Sequence, residues 1–286
     1  MVRPRDRSGV STASDVLAVA THMLTGTRRD GSHRGMIPKF IRLTTVAAAV
    51  MLTHPAFAMV GGGGAPSPAL ANAVVTIVGS RGSSCTGTLI ARDIILTAAH
   101  CIATGVATKM VDYGSQPPRL LDIKRVAAHP QFNPQNVLAH RATADIGLLQ
   151  LAAPLAVQPV RIGGALMPIN VGQRLTVVGM GVATPGDGRS GGVARAASLA
   201  VTGKPGTLQI RLVDPATHNA RAGLGACTGD SGAPAILDSS GGVIVGVVSW
   251  STGANNASGC GGLTGVTPLA LYRDWILKTA RSWTRP

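Results

Sequence analysis

The sequence predicts an all-β fold built from many short strands. Its 286 residues include 37 Gly and 18 Pro, which interrupt regular structure and mark turns. Charged residues make up 13% of the chain and glutamate is absent, so the charged faces of surface helices are scarce. Hydrophobic residues make up 45%, enough for a sizeable core. Apolar, β-branched runs between the turn segments then favour strands.

The predicted strands follow one another from the middle of the chain to near its end. They cover residues 73–79, 86–90, 94–96, 110–113, 120–127, 146–151, 175–178, 208–213 and 243–250. The second and third read as a hairpin because only a short polar turn separates them.

One helix is predicted after the last strand. Thr267 can cap it and Pro268 suits its first turn. Its apolar face would be formed by Tyr272, Trp275, Ile276 and Thr279.

Residues 36–58 have the pattern of a secretory signal peptide. The basic residues Lys39 and Arg42 precede an apolar stretch, and Ala56 and Ala58 form a small-residue cleavage site. We therefore expect cleavage after Ala58 and a secreted protein, extracellular or periplasmic.

The apolar stretch is too short to span a bilayer comfortably, and Pro55 interrupts it. No stable membrane span is therefore expected after cleavage. The polar, Arg-rich residues 1–35 fit poorly before a signal peptide, so we interpret Met36 as the true start. A long basic leader, or a cytoplasmic tail on an uncleaved anchor, is the alternative.

The net charge of +14 at pH 7 raises the question of nucleic-acid binding. After residue 58 the basic residues are spread singly, and Lys124–Arg125 is the only adjacent pair. Aromatic residues for stacking on bases make up only 3%. No nucleic-acid partner is therefore expected. The charge suits a basic secreted protein, with attraction to an acidic surface or substrate as the alternative.

Three residues occur in an order that suits acyl transfer. His100 lies in Thr-Ala-Ala-His-Cys, Asp145 in Ala-Asp-Ile-Gly-Leu-Leu and Ser231 in Cys-Thr-Gly-Asp-Ser-Gly. A histidine can accept the proton of a serine that attacks a carbonyl, and a buried aspartate can orient that histidine. These motifs, in the order His, Asp, Ser, resemble those of the chymotrypsin/trypsin serine peptidases.

The resemblance covers residues 59–286 and implies two six-stranded antiparallel β-barrels with a C-terminal helix. The boundary between the barrels is expected near 152–160. The implied protein is a secreted bacterial serine endopeptidase that acts on polypeptides through an acyl-enzyme. It is expected to be a monomer without cofactor or metal. A catalytically silent family member that acts as a binding protein is the alternative.

The serine motif also implies an oxyanion hole. The N–H groups of Gly229 and Ser231 would face the carbonyl oxygen on which charge develops.

Two small departures from the family pattern accompany the motifs. Gly147 stands where alanine is common, and Ala233 replaces a glycine.

Four cysteines, Cys85, Cys101, Cys227 and Cys260, suit an oxidising compartment. They allow three pairings, and the sequence alone does not choose between them. None shows the close spacing of a zinc site. The resemblance implies Cys85–Cys101 and Cys227–Cys260.

The resemblance further places a substrate-binding region around Gly225, Ala226, Ser249, Trp250, Ser251 and Gly265. No aspartate is expected at the pocket floor, so Arg or Lys before the cleaved bond is not favoured. A small or apolar residue is favoured instead. Ser251 stands where glycine is common and begins an unusually long segment, 251–259, and both features would narrow the pocket. The family's acidic calcium loop is not reproduced.

Cleavage after Ala58 would leave Met59-Val60-Gly61-Gly62 as the new N-terminus. In the family, such an amine pairs with the aspartate before the catalytic serine, so the resemblance implies that the Met59 amine pairs with Asp230. The alternative is that residues 59–64 are only a flexible linker, because four glycines lie among them.

Overall fold

The computed structural model describes residues 59–102, 106–164, 167–240 and 242–284. The predicted signal peptide and the residues before it lie outside these ranges. No helix within the described part is long and apolar enough to cross a membrane.

The first six strands form a closed antiparallel barrel. They are β1 (Val74–Gly79), β2 (Ser84–Ala91), β3 (Ile94–Thr97), β4 (Thr108–Asp112), β5 (Arg119–Ala128) and β6 (Gly147–Leu151). Around the barrel their order is β1-β2-β3-β6-β5-β4. The pairing of Thr97 with Gly147 places the end of β3 beside the start of β6. The segments that carry His100 and Asp145 therefore meet at one rim of this barrel.

The next six strands form a second closed barrel. They are β7 (Arg174–Gly179), β8 (Arg195–Gly203), β9 (Ile210–Val213), β10 (Pro234–Leu237), β11 (Val243–Ser251) and β12 (Thr264–Pro268), in the order β10-β11-β12-β9-β8-β7. The all-β prediction and its two six-stranded barrels are thus confirmed. The boundary near 152–160 stays a prediction; strands end at Leu151 and resume at Arg174.

Each barrel has its own apolar core. Leu89, Ile95 and Leu149 are fully buried in the first barrel. Leu175 and Leu199 are fully buried in the second, which also encloses Met59. All nine predicted strands overlap observed ones, whereas β8, β10 and β12 were not predicted. The weak sequence pattern explains two of these omissions, because β8 is rich in Ala and β10 has only four residues.

Three α-helices accompany the barrels in the described ranges: α1 (Pro68–Ala73), α2 (Pro134–Leu138) and α3 (Arg273–Thr284). The C-terminal helix is present, but its predicted start was wrong. Thr267 and Pro268 lie in β12, where they pair with Val247 and Gly246 of β11. Completing the barrel therefore overrides the local signal for a helix start, and Tyr272 comes just before the first helical residue.

Candidate active site

The buried carboxylate of Asp145 binds two groups of His100, its backbone N–H and its ring Nδ1. His100 lies in a 3₁₀ turn, Ala99–Ile102, which directly follows β3. Its ring Nδ1 is 2.7 Å from Asp145 Oδ2, and its backbone N–H donates to Asp145 Oδ1 at 2.9 Å. Asp145 is fully buried, whereas the His100 side chain is 23% exposed. The carboxylate therefore fixes both the position of the backbone and the direction of the ring.

The second barrel contributes a further contact to the same carboxylate. Ser249, on β11, donates from its hydroxyl to Asp145 Oδ2 at 2.6 Å. A short hydrogen bond of this kind holds the buried carboxylate in a fixed orientation. Asp145, His100 and Ser249 therefore form one connected network that joins the two barrels.

Ser231 lies in a tight turn that the first barrel supports. Its carbonyl oxygen accepts a hydrogen bond from the Thr86 N–H at 2.7 Å, and Cys101 Sγ is 3.7 Å from the same oxygen. The sulfur belongs to a disulfide, so the latter is a packing contact. The residue next to His100 therefore touches the serine turn directly.

Two glycines make this turn possible. Gly229 and Gly232 have φ values of 93° and 86°, in the region that residues with a Cβ rarely adopt. A Cβ on Gly232 would also collide with the Thr86 carbonyl oxygen. The glycines that flank Ser231 are therefore required by both backbone conformation and space.

The N–H groups expected to form the oxyanion hole are available. The neighbouring N–H groups of Asp230 and Gly232 donate to the carbonyls of Cys227 and Val248. By contrast, no described residue accepts a hydrogen bond from the N–H of Gly229 or Ser231. Two unpaired backbone donors within the serine turn are what a developing oxyanion requires.

Thr86 supports the site but was not identified from the sequence. Its hydroxyl donates to the Gly229 carbonyl at 2.7 Å and accepts the Met180 N–H at 3.0 Å. Together with its N–H bond to Ser231, Thr86 binds the serine turn at two points. These contacts span more than 90 residues of sequence, so only the position next to Cys85 could have drawn attention to it.

Two disulfides brace these segments. Cys85–Cys101 has a Cα–Cα distance of 6.1 Å, and Cys227–Cys260 one of 4.8 Å. The side chains of Cys85, His100 and Cys101 bring three potential ligand atoms within 4.8 Å of one another. The two sulfurs are bonded to each other, so neither is a thiolate, and this cluster does not suit a metal ion.

Asp230 is a fully buried carboxyl group beside the serine turn. Its two oxygens accept the N–H groups of Gly181 and Cys227 at 2.9 and 2.8 Å. Burial raises the pKa of Asp230 to about 7, although these two hydrogen bonds and the nearby charge of Arg195 act in the opposite direction. A complete positive partner would lower this pKa.

The segment after the predicted cleavage site packs against the second barrel. Met59 is fully buried in its core, and Gly225 N–H donates to the Val60 carbonyl at 3.3 Å. Gly61 has a φ of 88°, and a Cβ there would collide with Gly223. This packing argues against a free linker over these residues. Pairing between the Met59 amine and Asp230 stays a prediction.

The predicted substrate-binding residues form two groups in the structure. Gly225 and Ala226 lie in the segment between β9 and β10, and the others lie on the paired strands β11 and β12. The Ala226 N–H donates to the hydroxyl of Thr264 at 3.2 Å. Thr264, fully buried on β12 and paired with Ser251, was not identified from the sequence. Neighbouring β12 residue Gly265 lies against the indole of Trp250, where a Cβ would collide with the ring.

A histidine covers part of this region. His140 stacks on Trp250 with 5.0 Å between ring centroids and 22° between the planes. Its φ of 50° is unusual for a residue with a side chain. His140 follows α2, and its N–H donates to the Val137 carbonyl. No local motif marks His140, so sequence reasoning missed it.

Comparisons with known proteins agree with this geometry. The family model described as Trypsin matches residues 60–276. The trypsin of the beetle Phaedon cochleariae is 30% identical over 217 residues, which cover 67% of this chain and 77% of that protein. Trypsin 5G1 of the mosquito Aedes aegypti is 32% identical over 210 residues, covering 67% and 73%.

A solved structure shows the same fold. Human heparin binding protein superposes with a TM-score of 0.58 at 25% identity, covering 76% of this chain and 95% of that one. The chain therefore belongs to the trypsin-like serine protease family. The relatives compared are animal proteins, so they give no support to the bacterial source that was expected.

Proposed function

We propose that the protein is a serine endopeptidase that hydrolyses peptide bonds through an acyl-enzyme. One observation supports this most strongly: the buried Asp145 carboxylate binds the N–H and Nδ1 of His100 and the Ser249 hydroxyl at 2.6–2.9 Å. Because an ionised carboxylate only accepts hydrogen bonds, it selects the tautomer with hydrogen on Nδ1. The other ring nitrogen, Nε2, is then free to act as a base.

The reaction would start with the Ser231 hydroxyl. His100 Nε2 takes its proton while Ser231 Oγ attacks the carbonyl carbon of the peptide bond. The oxyanion is stabilised by the N–H groups of Gly229 and Ser231, each worth about 10²–10³ in rate. The imidazolium then protonates the leaving amine. Water attacks the acyl-enzyme by the same steps, with His100 again as base.

The expected substrate is a polypeptide with a small or apolar residue before the cleaved bond. Ala226, Thr264 and Gly265 supply no carboxylate to bind an Arg or Lys side chain. The Ser251 side chain at the end of β11 would narrow the pocket further. Peptide-library cleavage by the secreted protein tests this preference, and dominant cleavage after Arg or Lys would contradict it.

Activity is proposed to begin when the signal peptide is removed. The packing of Val60 against Gly225 would keep the Met59 amine at the second barrel, where Asp230 lacks a full positive partner. Two disulfides agree with an oxidising, extracellular or periplasmic location. We expect the mature protein to be a monomer.

Covalent labelling tests the proposal. A fluorophosphonate probe should label the secreted protein, and Ser231→Ala should abolish labelling while the protein stays folded by circular dichroism. Ser83→Ala, on the turn before β2, is the matched control and should be labelled normally.

The second candidate is a binding protein that does no catalysis. The likeness to heparin binding protein favours it. A folded protein that neither reacts with the probe nor cleaves any library peptide would support this candidate and exclude the first.

A further inference from the structure

A polar recess of about 520 Å³ lies on the second barrel. Its walls come from the β8–β9 hairpin, from β9 and from two loops, at residues 214–223 and 252–263. Three basic side chains line it: Lys204, Arg211 and His218. No aspartate occurs among its described lining residues, and the chain contains no glutamate. The recess therefore concentrates positive charge without a matching negative charge.

Arg211 is the central residue of this recess. On β9 it lies between Ile210 and Leu212, which are buried in the barrel core, so its own side chain faces outward. Its Nε is buried and has no hydrogen-bond partner among the described residues. A buried, unpaired N–H is costly, and a ligand that accepts a hydrogen bond would remove that cost.

Lys204 and His218 also have no ion-pair partner among the described residues, and none of the ion pairs there involves Arg211. The nearest carboxylate in sequence, Asp214, is buried and accepts the N–H groups of Ala216 and Leu224 at 2.8 and 2.9 Å. Its hydrogen-bonding capacity is directed at the loop backbone and not at the recess.

The two loops that wall the recess are held in strained conformations. His218, Asn219 and Asn256 have φ values of 48°, 66° and 62°. The loops are joined where Asn219 Nδ2 donates to Asn256 Oδ1 at 3.0 Å and Asn255 N–H donates to the Asn219 carbonyl at 2.8 Å. Left-handed residues with side chains often occur at functional sites, where surrounding contacts fix them.

We propose that this recess binds an oxyanion of the phosphate or sulfate class. Arg211 would bind it through its planar fork of N–H donors, which matches tetrahedral oxyanions. Lys204 adds a positive charge and His218 a ring N–H. Two kinds of ligand would present such an oxyanion: the free inorganic ion and a sulfate ester of a polysaccharide. The site is separate from the proposed catalytic residues and does not depend on protease activity.

The recess is connected to the predicted substrate pocket through neighbouring strands. Arg211 on β9 is the cross-strand partner of Gly265 on β12, and Gly265 contacts Trp250. The loop at 252–263 also begins directly after Ser251. An anion bound by Arg211 and His218 would fix the loop at 214–223, and the contacts of Asn219 with Asn255 and Asn256 would pass this constraint to the loop at 252–263.

Isothermal titration calorimetry on the secreted chain carrying Ser231→Ala tests the proposal without interference from autolysis. The probes are inorganic phosphate, inorganic sulfate and a sulfated tetrasaccharide with its desulfated form, all at one ionic strength set with sodium chloride. At least one anionic probe should bind saturably. Arg211→Gln should weaken that binding at least 10-fold, and Lys204→Gln several-fold.

Lys278→Gln is the matched control, because it removes one exposed positive charge from α3. It should change affinity less than twofold. Binding of the inorganic ions would identify the free ion as ligand, and Arg211-dependent binding of the tetrasaccharide alone would identify a sulfate ester. The proposal is wrong if no probe binds, or if folded Arg211→Gln and Lys204→Gln proteins bind as tightly as the parent.

Discussion

His140 stacks on Trp250, and the contact extends from the first barrel's α2 segment to a strand of the second barrel. A polypeptide paired with the backbone around Ser249 would pass this indole. With Gly265 against the ring and His140 stacked on it, little of Trp250 is exposed to a ligand (7%). We infer that His140 restricts the size of the substrate side chain that can reach Trp250.

Replacing His140 with alanine should widen the substrate preference. Removing the imidazole exposes the indole face, and added apolar contact in such a subsite is worth about 10–200-fold in kcat/KM. We expect a gain of about 10-fold for peptides with an aromatic residue two positions before the cleaved bond, measured against matched alanine peptides.

Leu138→Ala is the control for this variant, since Leu138 lies on the same short helix and is 77% exposed. It should leave the ratio between the two peptides unchanged. Equal ratios for parent and His140→Ala would show that His140 does not restrict this subsite.

Thr86→Val should damage both stability and catalysis. Valine keeps the shape but leaves the Gly229 carbonyl and the Met180 N–H without their partner, at about 1–3 kcal/mol for buried groups. Because the Gly229 N–H is proposed to bind the oxyanion, kcat should fall more than KM changes. Urea denaturation and steady-state kinetics measure the two effects.

Thr76→Val provides a closely matched comparison. Thr76 is a buried threonine of the same barrel whose hydroxyl has no partner among the described residues. Its replacement should be neutral or stabilising and should leave kcat unchanged. The role assigned to Thr86 fails if both variants behave alike.

Ser249→Ala should lower activity without unfolding the protein. It removes one hydrogen bond to the buried Asp145 carboxylate, worth about 1.5–3 kcal/mol. We expect kcat/KM to fall about 10- to 100-fold. Ser83→Ala, on the turn before β2, leaves both the Asp145 network and the predicted pocket intact and should not change kcat/KM. Undiminished activity in Ser249→Ala would remove this serine from the catalytic network.

The pKa of Asp230 predicts a pH dependence that changes with the N-terminus. Burial raises this pKa from 3.8 to about 7, so the folded state holds a proton that the unfolded state releases above about pH 4. The stability of a chain with residues 54–58 before Met59 should therefore fall from pH 4 to 7, by about 4 kcal/mol if no other group compensates. It should level off above pH 7.

A chain that begins at Met59 should lack most of this decline, since its ammonium would stabilise the ionised carboxylate. Both chains would carry Ser231→Ala and would be compared by urea denaturation at pH 4, 5.5, 7 and 8. Identical pH profiles would mean that the Met59 amine does not pair with Asp230.

The parts of the site that local motifs carry could be predicted, and those made by distant contacts could not. His100, Asp145 and Ser231 each lie in a short diagnostic segment, so a catalytic triad could be proposed from the sequence. The structure joins His100 directly to Asp145, and the residue after His100, Cys101, contacts the Ser231 carbonyl. Thr86 acts on Gly229 across 143 positions, and no periodicity indicates such a contact. His140 was missed for the same reason.

Strand prediction succeeded and failed on similar grounds. The apolar residues 243–250 predict β11 directly, whereas Ala-rich β8 is a strand because β7 and β9 pair with it. The predicted helix start at Thr267 failed because closure of the second barrel required those residues as a strand. At such positions, pairing with strands that are distant in sequence determines the secondary structure. Local sequence patterns do not show this pairing.

The bonds from Thr86 to the serine turn have a consequence for the cell that makes this protein. Ser231 belongs to the second barrel and Thr86, which binds its turn, belongs to the first, so the proposed activity requires both barrels to be folded. A partly folded chain, in which Thr86 has not yet reached the serine turn, would lack the proposed activity. The proposed activity would thus appear only after the two barrels have folded and packed together.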